Sequence, residues 1–358
     1  MTIVDLRADD LLLALRQASG ETGLSLQAGP RPLNADGTVQ FVRLGPTGNG
    51  PAAPAVVRLC DRSDNATREA IIANHLNREG FPTPPVLLTG SLGDALGGAW
   101  LLIELVPGPR VRLGSSRRPQ EVIRLIRSVR ARPALLADLT ARLHRIDPEP
   151  ARRDLARTDS GFDWRQFLWD RATSVRGPEA AEVVEWLELN EPTPSPLVLS
   201  HGDLHIDNVV ISADGPQIID WGIGCLAPPA RDVACTMFAL LTTGSRLAPG
   251  PTRPAFAALG RRLSVQFLGR YRAGAPFVLS DDELEWHRVL YSMNRLFWAA
   301  LDCGALTPAD SAEPMPARGR ANEILRAEFP LHTRIIRDIT GVELRREPST
   351  MDGNRFAP

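Results

Sequence analysis

No lysine occurs in this chain of 358 residues, so all 41 of its basic residues are arginines. A guanidinium is charged at every physiological pH and meets anions as a planar fork, where lysine offers a mobile point charge. Any role that calls for a cation must therefore be filled by arginine. Cysteine is sparse. Cys60, Cys225, Cys235 and Cys303 show no CxxC spacing, which argues against a zinc site and against a disulfide framework. An excess of charge is missing as well: the net charge of -1 argues against electrostatic capture of nucleic acid or of an anionic membrane. No apolar run approaches the length of a membrane span. The opening MTIVDLRADDLLLALRQ reads as a mixed amphipathic helix and not as a signal peptide, so a cytoplasmic protein is expected.

What is present is the composition of a soluble globular protein, 43% hydrophobic and 23% charged, with enough apolar content for a sizeable core. The length suits one large bilobal unit or two ordinary domains. Residues 47–54 (TGNGPAAP) read as a flexible loop, and 247–254 and 306–317 as Pro-rich connectors. Residues 347–358 lack apolar periodicity and read as a frayed tail.

The chemistry is concentrated in residues 199–222, LSHGDLHIDNVVISADGPQIIDWG. Phosphoryl transfer from a nucleotide needs a carboxylate to accept a hydroxyl proton and oxygen ligands for magnesium. Asp203 suits the first role. Asn208 and Asp220 suit the second, because magnesium prefers hard oxygen ligands and shares them with nucleotide phosphates. Val209-Val210 and Ile218-Ile219 read as short strands joined by the turn Ser212-Ala213-Asp214-Gly215. Such a hairpin carries Asn208 and Asp220 to the same end.

HGDLHIDN followed by IDWG resembles the aminoglycoside phosphotransferase/choline kinase-like family, which has a protein-kinase-like fold. The likeness lies in HGD-x-x-x-x-N and in Asp-Trp-Gly, where protein kinases carry Asp-Phe-Gly. It implies a bilobal α+β protein, with a small β-rich nucleotide-binding lobe over 1–105 and a larger, mainly helical lobe over 106–346. It also implies ATP or GTP as co-substrate, Mg2+, and a small molecule bearing a hydroxyl as acceptor.

Further residues take roles from the same resemblance. Arg58, in the strand-like Ala55-Val56-Val57-Arg58-Leu59, falls where the family has its phosphate-binding lysine, and the family tolerates arginine there. Glu69, on a helix over 64–76, falls where a glutamate pairs with that basic residue. Residues 33–39 align with the loop over the phosphates, Gly37 permitting close backbone approach. Residues 100–108 read as the last small-lobe strand entering the hinge, where backbone groups from Glu104 to Val106 would meet the base. Within the signature, His201 shapes the turn that aims Asp203, and His205 stabilises the loop. Pro228-Pro229-Ala230-Arg231-Asp232 resembles a family segment whose Asp, here Asp232, caps a helix and braces the loop. The first Asp of that segment is replaced by Ala227. Leu143-His144-Arg145-Ile146-Asp147-Pro148 matches a family helix ending, with His144 in a structural role.

The acceptor leaves a fainter trace. Trp164, Phe167, Leu168 and Trp169 form one aromatic cluster, and Trp286, Tyr291, Phe297 and Trp298 a second beside Asn294 and Arg295; such stripes are more often core than substrate wall. After Leu226 there are about 17 arginines against about 14 acidic residues, a balance that does not favour a strongly cationic substrate. A neutral, sugar-bearing or partly apolar antibiotic fits better. A metabolic kinase for a sugar or amino alcohol, and a silent nucleotide-binding protein of the same fold, stand as alternatives. Protein kinase activity is a weaker rival, since no Ala-Pro-Glu follows Asp220 at a suitable distance.

Overall fold

Alternation along residues 53–60 sets the architecture of the first third of the molecule. Successive strand side chains face opposite sides; Ala55 and Val57 are buried on one side, and Val56 and Arg58 line a cleft on the other. The computed structural model describes residues 7–34, 38–45, 53–60, 63–91, 98–108, 119–193, 195–247, 253–302 and 320–344. Gly37, the tail over 347–358, residues 47–52 of the expected loop, residues 248–252 of the first Pro-rich connector and all of the second lie outside the described residues. Ala53 and Pro54, expected in that loop, belong instead to a strand.

Five antiparallel strands, β1 (Ser25–Pro32), β2 (Val39–Gly45), β3 (Ala53–Cys60), β4 (Val86–Ser91) and β5 (Ala99–Glu104), lie in the order β1-β2-β3-β5-β4. Helix α1 (Ala8–Ser19) covers one face, its Leu11 and Leu15 packing with Val57, Trp100 and Leu102. Helix α2 (Ser63–Arg78) covers the other. Its buried stripe, Ala66, Glu69, Ile72, Ala73 and Leu76, has helical spacing with one carboxylate set among apolar residues.

The remainder is mainly helical: α3 (Pro119–Leu143), α4 (Glu149–Arg157), α5 (Trp164–Ser174) and α6 (Pro178–Leu189) precede a short β region, and α7 (Pro229–Leu247), α8 (Arg253–Gly274), α9 (Asp281–Asp302) and α10 (Arg320–Thr340) follow it. In that region β6 (Val198–Ser200) pairs with β9 (Cys225–Ala227). Between them β7 (Val209–Ser212) and β8 (Gly215–Ile218) form the expected hairpin, Val209 opposite Ile218 and Ser212 opposite Gly215. The small sheet with its two helices and the helical part therefore make a bilobal α+β molecule. Its largest apolar cluster spans both parts, running from Ile72, Phe81 and Leu101 to Leu199, Trp221 and Phe267. Among the described residues no helix is long and apolar enough to cross a membrane.

The helical part also buries histidines. His287 packs against Trp164 and Trp286, His332 stacks on Phe238 at 4.2 Å, and His201 lies under Trp221 at 4.5 Å. Burial lowers the pKa of all three, that of His287 to about 3. The unfolded chain protonates near pH 6.5 where the folded one does not, so stability is kept above that pH and lost as pH falls toward the folded values. Thermal melts are expected to show a lower midpoint at pH 5 than at pH 7.5; an equal or higher midpoint would contradict this assignment.

Candidate active site

The HGD turn is aimed by a buried carboxylate. Asp232, in the first turn of α7 and without solvent exposure, accepts the Ser200 hydroxyl at 2.9 Å and the Gly202 N–H at 2.6 Å on Oδ1. Its Oδ2 accepts the His201 N–H at 3.0 Å and lies 3.1 Å from Nε2 of His144. His144 is held in turn by the Tyr271 hydroxyl, 2.8 Å from Nδ1, which bears out a structural role for this histidine. Burial opposes the charge on Asp232, yet the hydrogen bonds and His144 hold its carboxyl well below the usual range. The expected capping role is corrected here: these four contacts run to the loop and to the residue that follows α3, not to the start of Asp232's own helix.

Gly202 adopts φ 77°, and a Cβ there would lie 2.2 Å from Nη2 of the buried Arg231. That close approach needs glycine. Arg231 also donates to Ser200 Oγ at 2.9 Å and to the Ile223 carbonyl at 3.1 Å, joining the turn to the chain after Asp220. His201 Nδ1 accepts the Asp203 N–H at 3.2 Å, and its Nε2 is 3.1 Å from the Ile219 carbonyl. A carbonyl only accepts, so His201 is the neutral Nε2–H tautomer, in accord with its lowered pKa. The Asp203 side chain is 45% exposed.

Next in the chain, His205 accepts the Asp207 N–H on Nδ1 at 3.3 Å, capping the short 3-10 turn Ile206–Asn208, and places Nε2 3.3 Å from Asp203 Oδ2. Asn208 donates its amide nitrogen to the Asp203 carbonyl at 2.9 Å, which leaves Oδ1 for a cation. Its own carbonyl accepts the Ile219 N–H at 3.0 Å, so the hairpin brings Asn208 beside the Asp220 segment. Asp220 has φ 73°, rare for a residue other than glycine, and its side chain is 52% exposed.

Arg58 reaches this point from the small lobe. One nitrogen, Nη1, lies 2.9 Å from Glu69 Oε1 and 2.7 Å from Asp220 Oδ1. Desolvation works against the cation, but Glu69 and Asp220 raise its pKa above the ordinary value. Conversely, Arg58 holds the Asp220 carboxyl below the usual range, while burial raises that of Glu69. A Cβ on Gly222 would lie 2.3 Å from Nη2 of Arg58, so the Asp-Trp-Gly glycine makes room for the guanidinium. Val56, Arg58, Glu69, Glu104, Val106 and Asp220 line one cleft of about 320 Å³. Asn34 and Thr38, which flank the undescribed Gly37, line it too.

Three contributors escape a reading by motif. Arg68 is buried, donates to the Gly222 carbonyl at 2.7 Å and lies 4.7 Å over Phe162. Thr83 accepts the Trp221 indole N–H at 2.9 Å and donates to the Ile218 carbonyl at 2.9 Å, tying the chain after α2 to the Asp-Trp-Gly segment. Arg231 had a visible signal, a charge inside the otherwise apolar PPARDVAC.

Replacing Asp232 by alanine leaves two N–H groups, a hydroxyl and His144 without their acceptor. Loss of a buried charged partner costs about 3–5 kcal/mol, and chemical denaturation of Asp232→Ala is expected to show a loss of that size. A loss below about 1 kcal/mol would remove Asp232 from this bracing role.

Comparisons with known proteins bear on the family and the fold. A model of the phosphotransferase enzyme family matches residues 31–268. Mouse (Mus musculus) acyl-CoA dehydrogenase family member 10 is 25% identical over 186 residues, which cover 48% of this chain and 16% of that protein. The chain thus spans only a small part of the curated relative it matches. A spectinomycin phosphotransferase solved with ADP and spectinomycin superposes with TM-score 0.53 at 14% identity, covering 94% of this chain and 99% of that one. An amicoumacin kinase solved with AMP-PNP and Ca2+ gives 0.52 at 14% identity, covering 89% and 88%. At such identities the superpositions speak for the fold, and the matched model for the family: the chain belongs to the phosphotransferase enzyme family and has its bilobal, protein-kinase-like fold.

Proposed function

We propose that the protein transfers the γ-phosphoryl group of ATP or GTP to a hydroxyl of a small molecule, an antibiotic in preference to a metabolic sugar or amino alcohol. The observation that carries this reading is the meeting of Asp220 with the Arg58–Glu69 pair in one open cleft, together with Asn208, which bonds both the Asp203 carbonyl and the Ile219 N–H beside Asp220. Asp203, aimed by the buried turn and half exposed, takes the proton of the acceptor hydroxyl. Asn208 Oδ1 and the Asp220 carboxylate are hard oxygen donors, which fits magnesium. The metal would supply charge neutralisation at the phosphate oxygens. Arg58, steadied by Glu69, would lie against the phosphates, and the backbone of Glu104–Val106 against the base.

This reading takes the small lobe as residues 1–105, the large lobe as 106–346 and the rest as a tail. It also places the protein in the cytoplasm. For the acceptor, the balance of about 17 arginines against about 14 acidic residues after Leu226 favours a neutral or partly apolar molecule. A spectinomycin phosphotransferase and an amicoumacin kinase share the fold, which supports an antibiotic as acceptor. A silent nucleotide binder would have no use for all of Asp203, Asn208 and Asp220.

Mass spectrometry of aminoglycosides, macrolides, nucleoside antibiotics, sugars and choline, incubated with protein, magnesium and both nucleotides, tests the proposal. One compound is expected to gain a phosphoryl group with the unaltered protein and not with Asp203→Asn or Asp220→Ala. If calorimetry detects no nucleotide binding, the reading fails. Gly222→Ala should fold normally, since only the flexible end of Arg58 must move. Its nucleotide turnover is expected to fall about tenfold or more, the cost of losing a charged hydrogen bond; unchanged turnover would show that the placement of Arg58 is immaterial.

A further inference from the structure

The loop that carries Asp203 engages only one of its carboxylate oxygens. Oδ2 lies beside His205, whereas Oδ1 faces out of the loop toward α7 and sits 3.8 Å from Sγ of Cys235. That sulfur is 3.7 Å from the Tyr291 hydroxyl on α9. Both separations suit hydrogen bonds to sulfur, whose radius exceeds that of oxygen.

The directions follow from chemistry. An ionised carboxylate has no proton to give, so the thiol must donate to it. The sulfur lone pairs are then free to accept the tyrosine O–H. Cys235 is 1% exposed, and burial, then the Asp203 charge, push its thiol up, so the proton stays on sulfur. Burial raises the Tyr291 phenol as well. The rings behind the pair are fixed: Tyr291 packs on Phe238 at 5.3 Å, and Phe238 stacks on His332 of α10.

We propose that Tyr291 O–H, Cys235 S–H and Asp203 Oδ1 form a hydrogen-bond relay, centred on the buried thiol, that fixes the carboxylate and presents Oδ2 to the acceptor hydroxyl. Cys235 and Tyr291 are positioning residues, acting through Asp203 without touching substrate. The inference rests on Asp203 being the proton acceptor, and it ties the rotation of that carboxylate to the packing of α7, α9 and α10.

The S–H stretching band in infrared spectra tests the relay without any assay. Subtracting the spectrum of Cys235→Ala, or of Cys235→Ser should the alanine variant not fold, isolates this thiol from the other three cysteines. Hydrogen bonding lowers the stretching frequency, so Asp203→Ala is expected to raise it, and Tyr291→Phe to shift it as well. A band that Asp203→Ala leaves in place overturns the proposal. In magnesium-ATP turnover without acceptor, Cys235→Ala is expected to lower kcat about threefold to tenfold with KM for ATP unchanged, and Cys235→Ser to recover most of the loss, since a thiol is a weak donor and a hydroxyl can replace it. No recovery by serine, or a rise in KM that accounts for the loss, overturns it too. Should the unaltered protein turn over no nucleotide, the kinase reading fails by itself, and the infrared shift still decides the relay.

Discussion

Everything at this site rests on the Asp232 carboxylate, a charge with no exposure that four donors satisfy. An unpaired charge in that position would be prohibitively costly, so the loop has essentially one way to lie against α7. Ser200, His201 and Gly202 supply three of the donors from consecutive residues, which fixes the turn by backbone geometry as much as by side chains. His144, just past α3, and Tyr271 in α8 extend the network. Asp203 inherits its aim from this rigidity, and His201 transmits it onward to the Ile219 carbonyl just before Asp220.

The second organising charge is Arg58. In a chain without lysine, the cation over the cleft is a fork, and one of its nitrogens joins a helix glutamate and the Asp220 carboxylate at once. β3, α2 and the segment after β8 therefore meet at a single guanidinium. Gly222 yields the space it needs. Arg68 and Arg231 repeat the theme behind it, one donating to the Gly222 carbonyl and the other to that of Ile223. Three arginines thus frame a strained, half-exposed aspartate. That arrangement suits a carboxylate kept ionised and available to a metal ion.

Much of this was legible in the chain. HGD with Asn208 and the Asp-Trp-Gly segment marked the loop of the candidate site, and the apolar pairs around Ser212–Gly215 marked the hairpin, although Ile219 lies one residue past β8. The strand read over residues 55–59 lies within β3, and the helix bearing Glu69 was expected where α2 lies. Asp232 was read correctly as a brace and wrongly as a cap, because a helix-start aspartate looks the same whether it bonds its own helix or a loop thirty residues upstream. Thr83 and Cys235 gave no signal, since nothing in a lone threonine or cysteine says what will fold against it. The second aromatic cluster divides: Trp286 and Phe297 are core, while Tyr291 is only partly buried and reaches Cys235.

The sequence by itself determined the local chemistry: which residues are carboxylates, which turn requires glycine, which strands alternate, and that every cation is an arginine. Those properties follow from covalent structure and near-neighbour sterics, which a linear text records. The tertiary structure alone decided which charges became partners. Arg58 meets Asp220 across 162 residues, Thr83 meets Trp221 across 138, and His144 meets Asp232 across 88. Such pairs form only where packing excludes water and leaves each buried polar group to find the nearest complement, and that outcome depends on the whole core at once.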